Sequence, residues 1–193
     1  MTELIYMFSY QFMLRAFVIG GLVSLCAALL GVTLVLKHYS MIGDGLSHVG
    51  FGALSVAMVM NMAPLVIAVP VVIFAAFFLL RISESTKLKG DAAIGLISSS
   101  AIAIGVTVTS LSGGMNSDVY SYMFGSILSM NERDVILSVG LSIAVLFVFI
   151  FCYHTIFAIT FDEGFAKANG TKTGGYNVLL AILTAVTIVV GMR

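Results

Sequence analysis

Polar charge in this chain is gathered into short clusters, and the stretches between the clusters are almost wholly apolar. No Asp, Glu, Lys, Arg or His falls between Arg15 and Lys37, His48 and Arg81, Asp91 and Asp118, Asp134 and His154, or Lys172 and Arg193. Each stretch supplies the roughly 20 apolar residues that a helix needs to cross a bilayer. The pattern predicts spans over residues 16–36, 46–62, 64–80, 92–111, 134–156 and 174–192. Residues Asn61-Met62-Ala63-Pro64 break what would otherwise be one helix over 49–80, too long for an ordinary bilayer. Residues 112–133 read as a loop around Ser112-Gly113-Gly114, followed by a short buried helix that cannot span by itself.

Composition strengthens this reading. Of 193 residues, 60% are hydrophobic and 9% charged, and the mean hydropathy is +1.13. A soluble domain keeps about a quarter of its residues charged, so too few remain here to cover a water-facing surface. The fold class expected is therefore all-α, a polytopic helical membrane protein with about six transmembrane helices in one domain over residues 1–193. Net charge is zero, which offers no basic face for nucleic acid and leaves membrane lipid as the surrounding partner. Cys26 and Cys152 both fall within apolar spans and read as small hydrophobes. No small-residue cleavage site follows the mildly amphipathic first residues, so the first span is expected to act as the insertion signal.

Positive residues orient the spans. Placing loops 37–44, 81–91 and 157–173 on the cytoplasmic side puts six cations there: Lys37, Arg81, Lys87, Lys89, Lys167 and Lys172. Arg15, Arg133 and Arg193 fall on the other side, with the N-terminus. Small residues recur within the spans. Ala101 and Gly105 form a small-xxx-small pair that permits close helix contact, within the chain or between two copies.

Ionisable residues at or inside the spans are Asp44, His48, Asp91 and His154, and such groups are costly in a membrane unless they serve a pathway or a site. Asp44 and His48 are four residues apart, so on a helix they share a face. Carboxylate oxygen with imidazole nitrogen suits zinc, manganese or iron(II). Asp44 can equally be an N-cap of the second span, and His48 a satisfied core histidine. Asp91 reads as an N-cap, and His154 as an interfacial residue without a role. Asp162 and Glu163 open a short helix that Gly170 closes as the residue past its C-terminal cap. No HExxH, GxSxG or phosphate-binding loop is present, so the chain is not expected to be an enzyme or to hydrolyse ATP by itself.

These residues resemble a known family. Residues 36–48, Leu-Lys-His-Tyr-Ser-Met-Ile-Gly-Asp-Gly-Leu-Ser-His, are similar to the "sLxGDAlSHa" run of the zinc/manganese/iron ABC importer permeases, the ABC-3 family. Asp91-Ala92-Ala93-Ile94-Gly95 resembles its "DtaiGi" helix start, 122–128 its "lFGniL" segment and 162–170 its "DeefAkaxGi" loop. The departures are Gly45 for a usual alanine, Val49-Gly50-Phe51-Gly52 for "AvlpG", and Lys37-His38 for a common Arg-Arg pair.

The resemblance implies a fold related to the vitamin B12-type importer permeases, in a multi-pass protein of the cell membrane. It implies that Asp44 and His48 meet a transported divalent metal, zinc ahead of manganese or iron, with no permanently bound cofactor. It implies that segment 161–171, through Asp162, Glu163, Phe165, Ala166 and Gly170, seats in a cytoplasmic ATP-binding subunit. An extracellular substrate-binding protein and a second permease copy complete the expected assembly. Family members run on through further spans, so the chain is expected to be C-terminally truncated. The competing expectations are a siderophore or vitamin B12 permease, with a large apolar cavity and no ion-ligating pair, and a non-transporting membrane scaffold.

Overall fold

The computed structural model describes residues 10–37, 39, 41–85, 90–111 and 132–192. Within them the chain is a bundle of helices: α1 (Gln11–Leu36), α2 (Ile42–Val59), α3 (Pro64–Ser85), α4 (Gly90–Leu111), α5 (Glu132–Phe151), α6 (Tyr153–Phe161), α7 (Glu163–Ala168) and α8 (Thr173–Gly191). Five of these are long and apolar enough to cross a membrane, and α3 is apolar over the shorter stretch Leu65–Arg81. The six expected spans therefore correspond to α1, α2, α3, α4, α5 and α8. The loop and short helix expected over 112–133, with the segment 122–128, lie outside the described residues apart from the first turn of α5.

Helix ends follow local chemistry. The α2–α3 break falls where the sequence places it, as a Schellman turn. Asn61 adopts a left-handed φ of 52°, its N–H bonds to the Met58 carbonyl, and the Met62 N–H bonds to that of Ala57, both at 3.0 Å. Asn tolerates that conformation better than other residues with a side chain. Pro64 then opens α3, where its missing N–H is not needed.

Two boundaries differ from expectation. Helix α1 begins at Gln11, five residues before the charge pattern placed it, because the polar Gln11 and Arg15 are solvated at its end. Arg15 there pairs with Glu132 at the start of α5 at 2.8 Å. Helix α5 does not stop at 156. It is interrupted for one residue at Cys152 and runs on as α6 to Phe161, with the Cys152 carbonyl still accepting from Ile156 at 2.9 Å. The pair together is about 45 Å long, more than a bilayer's apolar core, so one end projects beyond it. Cys152 thus sits half-exposed at a helix break, whereas Cys26 is buried.

Helix α8 divides the bundle. Ala181, Ala185 and Val189, spaced four apart, face a core with Leu46, Leu54, Val72 and Ile94 of α2, α3 and α4. Leu180, Leu183, Val186 and Val190 face the opposite core, with Cys26, Leu30, Val145, Phe149 and Ile156 of α1, α5 and α6. Over their apolar windows α2 and α8 are 61% and 56% buried, while α1, α4 and α5 are 22% buried and turn residues such as Leu96 and Phe147 outward. Large apolar side chains facing outward are what a lipid-embedded bundle requires. Hydroxyls of Thr33, Ser55, Thr109, Thr160, Thr184 and Thr187 donate to carbonyls three or four residues back, so these polar groups are satisfied within their own helices.

The small residues pack within the chain. A Cβ built on Gly52 lies 2.9 Å from the Ala101 carbonyl oxygen, and one on Gly105 lies 2.7 Å from the Phe51 ring and 3.2 Å from Gly52 Cα. The Ala101–Gly105 pair is thus the seat of α2 on α4. A Cβ on Gly45 would lie 2.6 Å from Ile94 Cγ2, so glycine at this position lets α2 approach α4 closely.

Candidate functional site

Asp44 and His48 lie in the first two turns of α2, and the inward residues beside them fix which way they face. Leu46 is fully buried and Gly45 abuts α4, which leaves Asp44 and His48 on the open side, with side chains 60% and 37% exposed. His48 Nε2 stands 3.6 Å from Asp44 Oδ1. Asp44 is not the N-cap. Met41 holds that position with no side-chain bond, and Ile42 and Gly43 already belong to the helix. The carboxylate therefore sits three residues past the cap, in the turn where free N–H groups and the helix dipole favour negative charge.

Among the described residues no group of three or more His, Cys, Asp or Glu could hold a metal. Asp44 and His48 thus stand as a carboxylate and an imidazole side by side on an open helix face.

Asp91 lies within α4, which begins at Gly90, rather than at its N-cap; its side chain lies outside the described residues. His154 is exposed on α6, its ring 5.8 Å from that of Tyr153.

The second candidate segment folds as its residues direct. Asp162, in extended conformation, accepts the Phe165 N–H at 2.8 Å and caps α7. At the other end Gly170 takes a φ of 83°, its N–H bonds to the Lys167 carbonyl, and the Thr171 N–H bonds to that of Ala166. Ala166 is buried, whereas Phe165 is 65% exposed. One aromatic ring on a capped turn is therefore presented outward.

Sequence reasoning missed what Glu163 does. Its half-exposed carboxylate accepts from Lys37 Nζ at 3.1 Å and from the Asn177 side-chain amide at 3.1 Å, while Lys37 also donates to the Asn177 side-chain carbonyl oxygen. Partial burial raises the Glu163 pKa, but Lys37 and the donors Asn177 and Thr173 outweigh it, leaving the group below its ordinary value. A charge count reads Lys37 only as an orienting cation, and nothing local links it to residues more than a hundred positions away.

Lys37 and α7 share one end of the bundle with Arg81, which lines a cavity with Gly174 and Gly175, and with Lys167 and Lys172, which line another with Glu163. Since α2 starts at this end, Asp44 and His48 lie there too. The Arg15–Glu132 pair lies at the starts of α1 and α5.

Apolar helices facing outward, a carboxylate–imidazole pair at one end and a capped turn beside it fit a multi-pass membrane protein of the transporter-permease class. The chain belongs to the ABC 3 transport family, whose model matches residues 9–193. It is 26% identical over 95% of its length to the manganese import system permease protein ScaB of Streptococcus gordonii, covering 66% of that protein. It is likewise 26% identical over 95% to the high-affinity zinc uptake system membrane protein ZnuB of Haemophilus influenzae, covering 70% of it. Its fold matches PsaBC from Streptococcus pneumoniae, solved in complex with Fab, with a TM-score of 0.81 and 26% identity over 95% of this chain and 66% of that one. The chain thus spans about two thirds of the length of these relatives.

Proposed function

We propose that this chain is the membrane-spanning permease subunit of an ATP-driven importer for divalent transition-metal ions, with zinc ahead of manganese and iron. The observation that carries the reading is the Asp44–His48 pair, one carboxylate and one imidazole 3.6 Å apart on an open helix face. Two donors bind a divalent ion too loosely for a structural site, which has four, and loosely enough for release. The imidazole donor favours zinc. Relatives named for manganese and for zinc both support the wider class.

In this reading the end bearing Lys37, Arg81, Lys167 and Lys172 is cytoplasmic. A separate ATP-binding subunit docks on α7, with Phe165 as the exposed contact, and supplies the hydrolysis that this chain does not perform. A second permease copy completes the path and the ion's remaining ligands, and an extracellular binding protein delivers the metal.

The test is uptake of radiolabelled zinc and manganese by cells carrying the assembled importer with and without this chain, each metal competing against the other. Chain-dependent uptake with zinc the stronger competitor is expected, together with co-purification of an ATP-binding subunit. Uptake independent of the chain, or its co-purification without any ATPase, overturns the reading.

A further inference from the structure

We infer that Lys37 and Asn177 are positioning residues for transport, forming with Glu163 a clamp that makes α7 and the Asp44–His48 turn move as one body. The inference rests on the proposed function, and it concerns how the two candidate sites communicate. Helix α7 has six residues, too few to hold a helical shape without outside contacts. Its two exposed ends are capped locally, but its attachment to the bundle runs through buried Ala166 and through Glu163. Glu163 bonds to Lys37 and Asn177 while Phe165 stays exposed, so the segment divides its work. Phe165 is free to meet a partner, and Glu163 is held by the membrane domain.

Lys37 is the other half of the clamp. Its side chain is only 6% exposed, and it lines a small cavity with Leu34, Ile42, Leu46 and Leu80, beside Asn177 and Leu180. An ammonium among apolar walls needs its acceptors, and here they are Glu163 Oε2 and Asn177 Oδ1. Pulling α7 away by itself would strand that charge, which is unfavourable enough that Lys37 follows the carboxylate.

From Lys37 the path to Asp44 is short and hydrogen-bonded. Lys37 caps α1 through its N–H to the Thr33 carbonyl, the Tyr39 N–H bonds to Leu34 at 2.8 Å, and the Ile42 N–H bonds to Tyr39 at 3.0 Å. Ile42 is the first residue of α2, which carries Asp44 and His48. Asn177 in turn fixes the clamp to the first turns of α8, the helix shared by both cores. A displacement of α7 is thus delivered to the Asp44–His48 turn through the buried Lys37 charge.

The test uses the full chain assembled with its ATP-binding partner, carrying Lys37→Met, Asn177→Leu or Lys37→Arg. The readouts are ATP hydrolysed and zinc moved per ATP. Lys37→Met and Asn177→Leu are expected to assemble and hydrolyse ATP at the basal wild-type rate, with zinc moved per ATP reduced roughly tenfold. Lys37→Arg keeps the charge and its donors, and is expected to restore most of the ratio. A wild-type ratio in Lys37→Met overturns the clamp, whereas a wild-type complex that moves no metal overturns the proposed function instead.

Should a variant fail to assemble, hydrogen exchange on the wild-type complex decides. Adding a non-hydrolysable ATP analogue is expected to change protection in α7 and in the first turn of α2 together. A change confined to α7 overturns the inference.

Discussion

Replacing Gly52 by alanine puts a methyl group against the backbone of the neighbouring helix, on the same helix that carries Asp44 and His48. The added Cβ would lie 2.9 Å from the Ala101 carbonyl oxygen and 3.6 Å from its carbonyl carbon. No side-chain rotation relieves a contact with backbone, so α2 and α4 must part by about 0.5 Å, which forfeits roughly a quarter of each dispersion contact along the seam. The Phe51–Gly105 and Gly45–Ile94 approaches lie on that seam. Overpacking of this kind costs about 1–3 kcal/mol, partly offset by the better helix propensity of alanine, about 1 kcal/mol. The net loss is on the order of 1 kcal/mol, and Tm should fall by about 3 °C in a chain of this size.

The chain has no tryptophan, but Cys26 is 1% exposed and gives a thiol probe of unfolding. A melt in detergent micelles with a fluorogenic thiol dye, in a Cys152→Ala background, follows its exposure. Gly20→Ala is the control, because nothing lies within 4 Å of its added Cβ, and its Tm should stay level or rise slightly. If Gly52→Ala melts with or above the parent protein, the close α2–α4 packing described here is wrong.

Other outcomes follow from the α7 segment. Asp162→Ala removes the cap on the Phe165 N–H and should weaken α7 by about 1 kcal/mol, seen as faster hydrogen exchange in 163–168 with α8 unchanged. Gly170→Ala meets no atom within 4 Å but must adopt a φ of 83°. It should cost about 1 kcal/mol by backbone strain alone, with the same exchange readout. Glu163 has a folded pKa below its ordinary value, so its contribution is full above the unfolded Glu range and is lost as pH falls through the lower folded value. Exchange protection of α7, corrected for intrinsic rates, should therefore hold at neutral pH and decline only in acid, and Glu163→Gln should lack that acid limb.

How far the sequence could be read depended on whether the cause was local. The apolar stretches marked the helices because lipid demands long uncharged segments. Asn61 and Gly170 marked turns because few residues accept a positive φ, and Asp162 marked a helix start because its carboxylate reaches an amide three residues on. The start of α2 was less legible. Asp44 looks like a cap, yet the helix begins two residues earlier at Ile42 without any capping side chain, since Ile42 is pulled into the core. The run of α5 into α6 was hidden by the polar residues after Cys152, which α6 carries outward. Lys37, Glu163 and Asn177 were beyond sequence reasoning, because their association depends on how three separate helices pack.

The measurement that bears most directly on the central claim is zinc uptake by the assembled importer with Asp44→Ala or His48→Ala. Each variant removes one of two donors and leaves the buried face of α2 intact, so assembly with the ATP-binding subunit should persist while uptake drops by roughly tenfold or more. Wild-type uptake in both variants would contradict the assignment of Asp44 and His48 to the ion's path.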